Sequence, residues 1–184
     1  MQQQAPLVNL AITTGEPAGI GPEISVIAAK QFLDRYPHAS VTLLGNRELL
    51  NSVSSSKTNA ERMHTQDVKL SAPVMPGNLD PQNVPYVIDT LNQAIDGCLS
   101  KRFDAMVTAP IQKSVINQAG IPFSGHTEYL AERCNVNHVV MMLCANLPKS
   151  FLGLKDSNQF RMALATTHLP LKDISSSLSR QLIL

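Results

Sequence analysis

Leu7-Val8-Asn9-Leu10-Ala11-Ile12-Thr13-Thr14-Gly15-Glu16-Pro17-Ala18-Gly19-Ile20-Gly21-Pro22-Glu23 is the stretch whose reading decides the fold. Its first eight residues are apolar or β-branched enough for a strand, and they run directly into a loop with three glycines. Gly15, Gly19 and Gly21 permit a tight turn free of side chains. Pro22 and Glu23 suit the first turn of a helix, where backbone N–H groups lack partners. Ile24, Ile27, Ala28 and Phe32 then recur at helical spacing and are expected to form that helix's apolar face. The loop reads either as a structural turn or as a backbone cradle for a phosphate or nucleotide. Two familiar nucleotide patterns are absent, because position 24 after Gly19 and Gly21 is Ile24, and no Gly-Lys-Ser/Thr follows Gly15.

Working outward, the alternation continues. Residues 41–45 read as a second strand and 46–50 as the start of a helix, an order that favours a parallel sheet. Residues 51–82 read as a polar surface connection with a weak strand at 67–70. Tyr86, Ile88, Leu91, Ala94, Ile95 and Leu99 mark a helix, with Cys98 packed beside its stripe. Residues 103–109 form a strand that ends in Thr108, Ala109 and Pro110. A short helix over 112–119 follows, with Lys113 near its start as a possible anion holder and Gly120 at its end. Gly125 then opens a helix with His126 and Thr127 in its first turn, which suits either a phosphate or carboxylate site or an ordinary helix cap. The apolar run 138–145 is expected to be a central strand, with Met141, Met142 and Cys144 in the core. After a polar connection over 146–159, a second buried strand over 160–167 delivers Thr166, Thr167 and His168 at its carboxyl end. Ligands bind at that end of open parallel sheets, so His168 is a candidate for chemistry, with a hydrogen bond to the loop before Pro170 as the plain alternative. Apolar residues at 171, 174, 178 and 182 predict a final helix over 171–184.

Bulk properties narrow the function. A chain of 184 residues, 43% hydrophobic and 16% charged, buries a real core and forms one domain or the beginning of two. With 4% aromatic residues and no Trp, that core is aliphatic. A net charge of +1 supplies no field for nucleic acid or an acidic membrane surface. Cys98, Cys134 and Cys144 are an odd set without metal-type spacing, as expected of reduced thiols in a cytoplasmic protein. The N-terminus has no basic segment of the secretory kind, and no apolar run reaches the length of a membrane span, so a soluble, unexported protein is expected. No HExxH, CxxC pair or Gly-x-Ser-x-Gly is present, and His126 with His168 cannot alone close a zinc site.

Four blocks in order carry a specific resemblance: TTGEPAGIGPE at 13–23, VTAPIQKSVINQAGIPFSGHTEYLAE at 107–132, VVMML at 139–143 and MALATTHLPLKDI at 162–174. Together they resemble the N-terminal portion of the 4-hydroxythreonine-4-phosphate dehydrogenases. The resemblance implies an α/β fold, a mainly parallel sheet flanked by helices like that of isocitrate and isopropylmalate dehydrogenases, incomplete relative to the family. It implies a first α/β domain over 1–118 and the start of a second over 119–184. The activity implied is oxidation of 4-phosphooxy-L-threonine to 2-amino-3-oxo-4-phosphooxybutanoate, then decarboxylation, in pyridoxal phosphate biosynthesis. NAD or NADP and a divalent metal ion (zinc, magnesium or cobalt) are the implied cofactors. Carried over residue by residue, His168 is a metal ligand, while His126 and Thr127 contact the small phosphorylated substrate. A homodimer with its active site at the interface is implied as well. The family's two further metal histidines and most of its dinucleotide site are expected beyond Leu184, and the 146–159 connection reads as longer than the family's. Two other readings are an inactive remnant that keeps folding or dimerisation surfaces, and a dehydrogenase of a phosphorylated sugar acid.

Overall fold

The structure, a computed structural model, describes residues 8–53, 61–137, 139–147, 159–166 and 169–183. Its contacts divide the chain into two units, one ending at Cys134 and the other beginning at Asn135.

The first unit alternates strand and helix: β1 (Val8–Thr13), α1 (Gly21–Arg35), β2 (Ala39–Gly45), α2 (Arg47–Val53), β3 (Met63–Asp67), α3 (Val84–Leu99) and β4 (Ala105–Thr108). All neighbouring strands pair in parallel, in the order β3-β2-β1-β4. The chain winds outward from β1 to β3, returns through α3 and restarts on the far side of β1. These are the first four places of a doubly wound sheet, with the topological switch point between β1 and β4. The α/β class and the parallel sheet expected from the sequence are therefore present.

Aliphatic side chains hold both faces. Ile12, Val41 and Leu43 pack beneath Val26, Ala29 and Leu33 of α1 and Leu50 of α2. On the other face Ala11 and Leu44 meet Ala94 of α3 and Phe103. Each fully buried aliphatic side chain contributes about 1.5–3 kcal/mol. The expected face of α1 is corrected here. Its buried side is Val26, Ala29 and Leu33; of the expected residues Phe32 packs half-buried against that cluster, while Ile24 and Ile27 remain 39% and 47% exposed. This helix carries two apolar stripes, and spacing alone does not say which one meets the sheet. The third strand also differs from expectation: it spans Met63–Asp67 rather than 67–70, because its mixed polar composition suits a sheet edge and hides it from a hydrophobicity reading. In α3 the predicted stripe is buried at Tyr86, Leu91, Ala94 and Ile95, and Cys98 is half-buried beside it.

Two short helices complete this unit, α4 (Lys113–Gln118) and α5 (His126–Arg133). The Tyr129 hydroxyl lies 2.6 Å from Asn92 Oδ1, and Arg133 pairs with Asp96 at 2.9 Å, docking α5 on α3. The contacts thus group residues 119–134 with the four-stranded sheet.

The second unit corrects three expectations. Among the described residues its strands β5 (Met141–Asn146) and β6 (Gln159–Leu164) pair only with each other, antiparallel, and neither is a buried central strand. Met142, Leu143, Phe160 and Met162 are all exposed, as is Cys144. An apolar run signals that a strand wants burial but does not name its partner. The expected 171–184 helix is instead a 3-10 turn at Leu171–Asp173 followed by α6 (Ile174–Ser177) and α7 (Arg180–Ile183), with Leu178 extended between them. Ser176 and Ser177 donate side-chain hydrogen bonds back to the Asp173 carbonyl, the local competition that makes serine runs poor helix interiors. Thr167 and His168 lie outside the described residues, as do 148–158 of the 146–159 connection.

Candidate active site

Loops leaving the carboxyl ends of β1 and β4 meet at the switch point, where doubly wound sheets bind ligands. The Glu16 N–H donates to the Pro110 carbonyl at 3.0 Å, and the Ala109 N–H donates to the Thr13 carbonyl at 3.0 Å. Gly15 makes this approach possible. It holds φ +69, and a Cβ there would stand 2.3 Å from Pro110 O. A Cβ on Gly21 would stand 2.1 Å from Thr14 O. Both glycines therefore serve close backbone packing, and of the two readings of this loop they support the structural turn.

Beneath the loop lies a polar tie that sequence reasoning missed. Thr14 Oγ1 donates to the Leu44 carbonyl at 3.0 Å and lies 2.7 Å from the Tyr86 hydroxyl. That hydroxyl also accepts from Asn46 N–H at 3.2 Å. One tyrosine from α3 thus joins the ends of β1 and β2, and burial raises its pKa. A Tyr at the start of an apolar helical stripe, carrying an OH that needs a partner, was the available signal. Glu16, only 8% exposed, accepts the Ala18 N–H at 3.2 Å. Burial pushes its carboxyl above the ordinary carboxylate range, partly offset by that bond.

His126 and Thr127 occupy the first turn of α5. Three side chains fix this turn. Asn117 accepts the Phe123 N–H at 2.9 Å and donates to the Phe123 carbonyl at 3.3 Å. Lys113 donates to the Ser124 carbonyl at 2.8 Å, so the lysine expected as a possible anion holder is tied to the loop preceding His126. Tyr129 anchors the next turn through Asn92. Phe123 lies in the same buried cluster as Tyr86 and sets its ring edge-on to His126, with centroids 6.1 Å apart. His126 Nε2 is nevertheless buried with no hydrogen-bond partner among the described residues. Burial lowers the imidazole pKa, which keeps the ring neutral. Glu128 stands in the same first turn, where a carboxylate suits the helix dipole, and its Oε2 lies 3.0 Å from where a Cβ on Gly125 would stand. The arrangement offers a substrate a neutral imidazole and a hydroxyl in place of a bare cationic pocket.

The metal reading does not gain a donor set from these residues. Among the described residues no group of three or more His, Cys, Asp or Glu converges as a metal site, and His168 lies outside them. No helix among the described residues is long and apolar enough to cross a membrane.

Comparison with known proteins places the chain. Residues 22–184 match the family described as pyridoxal phosphate biosynthetic protein PdxA. A 4-hydroxythreonine-4-phosphate dehydrogenase of Burkholderia vietnamiensis is 47% identical over 182 residues, covering 95% of this chain and 52% of its own length. The enzyme of that name from Saccharophagus degradans is 46% identical over 183 residues, covering 92% and 51%. In fold, the chain is similar to the crystal structures of 4-hydroxythreonine-4-phosphate dehydrogenases from Klebsiella pneumoniae and Burkholderia phymatum. The first gives a TM-score of 0.73 at 24% identity, covering 96% of this chain and 56% of that one. The second gives 0.75 at 22% identity, covering 96% and 55%. The chain spans about half the length of the curated relatives it matches. On the family match and the shared fold together, the chain belongs to the PdxA family, of which it represents the N-terminal portion.

Proposed function

We propose that this chain contributes the N-terminal portion of an NAD- or NADP-dependent dehydrogenase that oxidises 4-phosphooxy-L-threonine at carbon 3, with decarboxylation of the resulting amino-oxo acid, in pyridoxal phosphate biosynthesis. The observation that carries the reading is the His126–Thr127 turn. Three side-chain anchors hold it in place, yet the imidazole it presents has no partner at Nε2 among the described residues. A buried polar atom left without a partner costs about 1–3 kcal/mol, and a substrate group that pairs with it recovers that cost on binding. In this reading His126, neutral by burial, and Thr127 hold polar groups of the phosphorylated substrate. Ligation of a divalent metal by His168 rests on the family resemblance alone, as does a homodimer with the site at its interface.

The test joins this chain to the remainder of the Burkholderia vietnamiensis relative and follows NAD(P)H absorbance with 4-phosphooxy-L-threonine and a divalent metal. The chimera turns over, a phosphorylated threonate serves it poorly, and His126→Ala raises KM at least tenfold. The 184-residue chain alone gives no signal above background. Unchanged KM in His126→Ala refutes the substrate role. Metal-dependent turnover by the 184 residues alone refutes the placement of essential groups in the other half.

A further inference from the structure

The two faces of the four-stranded sheet differ in polarity. Leu10, Ile12, Val41, Leu43 and Met63 make one face apolar and pack with α1 and α2. On the opposite face the register sets Asn9 beside Ser40, Thr42 beside His64 and Leu44 beside Gln66. There Ala94 of α3 and Phe103 pack on Ala11 and Leu44. Toward the amino ends of the strands the floor turns polar, and a cavity of about 380 Å³ opens over Asn9, Ser40, Thr42, His64 and Gln66, with Arg102 at its side. Parallel strands are ordinarily apolar and buried on both faces. Polar side chains at five adjoining positions suit a polar occupant and would not bury a packed helix.

Internal bonds consume the acceptors of this floor and leave donors. Ser40 Oγ donates to Asn9 Oδ1 at 2.5 Å, so the Asn9 NH2 is left to donate. Arg102 Nη1 donates to Gln66 Oε1 at 3.0 Å, the Gln66 NH2 is taken by Gln93 Oε1, and Gln93 in turn donates to Asp89 at 2.8 Å. The Arg102 guanidinium also lies over the Phe103 ring, 4.5 Å from its centroid, which fixes the charge in place. Beyond its bonds to Gln66 and the Gln93 carbonyl it keeps further N–H groups to offer. Among the described residues the Thr42 hydroxyl and the His64 ring carry no hydrogen bond. Arg62 also reaches the rim, but it caps α1 through the Leu33, Tyr36 and Ala39 carbonyls at 3.0, 3.1 and 3.2 Å, and Glu61 lines the same rim with the opposite charge. We infer that this cavity binds a small organic phosphate, with its phosphoryl oxygens on Arg102, Asn9 and Thr42 and its polar body toward His64 and Gln66. A phosphate presents acceptors in several directions, as donors arriving from two strands and a guanidinium require. The volume is at the lower end for small-molecule sites and admits a phosphate with a body of a few carbons. The site lies at the amino ends of β1, β2 and β3, whereas the glycine loop leaves the carboxyl end of β1, so it is separate from the candidate active site.

Binding tests the assignment without relying on activity, with glycerol 3-phosphate and inorganic phosphate as probes on the 184-residue chain and on the chimera with the Burkholderia vietnamiensis remainder. In both proteins glycerol 3-phosphate raises Tm to a plateau, and sodium chloride at equal ionic strength does not. Glycerol 3-phosphate binds more tightly than inorganic phosphate. In amide NMR spectra of the chain it shifts Ser40, Thr42 and His64 and leaves Gly19 and His126 in place. Arg102→Gln weakens binding at least tenfold, the loss expected of one charge-assisted pair. Thr42→Val keeps a β-branched residue in β2, leaves the circular dichroism unchanged and still weakens binding severalfold. The absence of saturable binding in both proteins overturns the inference, as does affinity unchanged in both variants. Equal affinity for the two probes overturns it as well, because the body then contributes nothing. So does a response confined to the His126 turn, where phosphate would be occupying the candidate active site, or one that chloride reproduces.

Discussion

Gly15→Ala separates the two reasons a glycine can be required, and the structure supplies internal controls. At Gly15 both reasons apply: φ is +69, and the new methyl would stand 2.3 Å from Pro110 O and 3.1 Å from Ala109 C. A left-handed conformation costs an L-residue about 1–2 kcal/mol. Overpacking against backbone that cannot yield adds about 1–3 kcal/mol, for an expected loss of about 2–5 kcal/mol. Gly120→Ala carries only the first penalty, because φ is +82 and nothing lies within 4 Å, so the expected loss is about 1 kcal/mol once the entropy gained in the unfolded chain is subtracted. Gly21→Ala isolates the second, with Thr14 O at 2.1 Å and a helical backbone that prefers Ala. Urea unfolding followed by circular dichroism, at constant slope, reads all three. The reasoning fails if Gly15→Ala loses no more than Gly120→Ala, because the contact between the β1 and β4 loops would then not be as close as the structure has it.

Two other perturbations address the polar parts of the same region. Tyr86→Phe removes the acceptor of Asn46 N–H and the partner of Thr14 Oγ1 and is expected to cost about 1–3 kcal/mol; in a double-mutant cycle with Thr14→Val, additivity would deny the 2.7 Å bond. Protonation supplies the second. A folded-state pKa for His126 below its ordinary 6.5 means the unfolded chain binds the proton more tightly, so stability falls as pH drops below 6.5, and His126→Asn flattens that fall. Glu16 has the opposite sign, since a raised carboxyl pKa gives stability that is full below 4.5 and lost as pH rises through the folded value; Glu16→Gln removes that loss, and wild-type pH profiles in both variants would contradict these assignments.

What the sequence disclosed about the fold was local and periodic. The strand-loop-helix of residues 8–35, the stripe of α3 and the turn at Gly120 each follow from spacing and turn chemistry, and each is present. Partner choice was not legible. The run at 138–145 reads the same whether its strand enters a central parallel sheet or an exposed antiparallel ribbon, because hydrophobicity encodes a demand for burial and not the surface that meets it. The face of α1 failed for the same reason, with Ile24 and Ile27 as good a stripe as Val26, Ala29 and Leu33. At the candidate site, residue types pointed to His126 and Thr127 as candidates. The side chains that hold them were missed, since Asn117 and Lys113 act on backbone carbonyls and amides that no side-chain pattern advertises.

The glycine loop carries the last step. It was open to a phosphate-cradle reading because it joins β1 to the head of α1, where a helix N-terminus favours an anion. Yet the space a side chain would take at Gly15 is filled by Pro110 O, and at Gly21 by Thr14 O. Two protein carbonyls stand against the glycines whose bareness suggested a phosphate, and carbonyl oxygens repel anions. The loop therefore seals the floor of the β1–β4 switch point and fixes where Thr14, Tyr86 and Glu16 lie. If this family holds its dinucleotide as a doubly wound sheet ordinarily does, the phosphate donors have to come from elsewhere than Gly15 and Gly21. A chimera carrying Gly19→Ala, where the nearest neighbour of a methyl would be Glu16 at 3.4 Å, should then retain its KM for NAD(P). A tenfold rise in that KM, with the KM for substrate unchanged, would return the loop to cofactor binding.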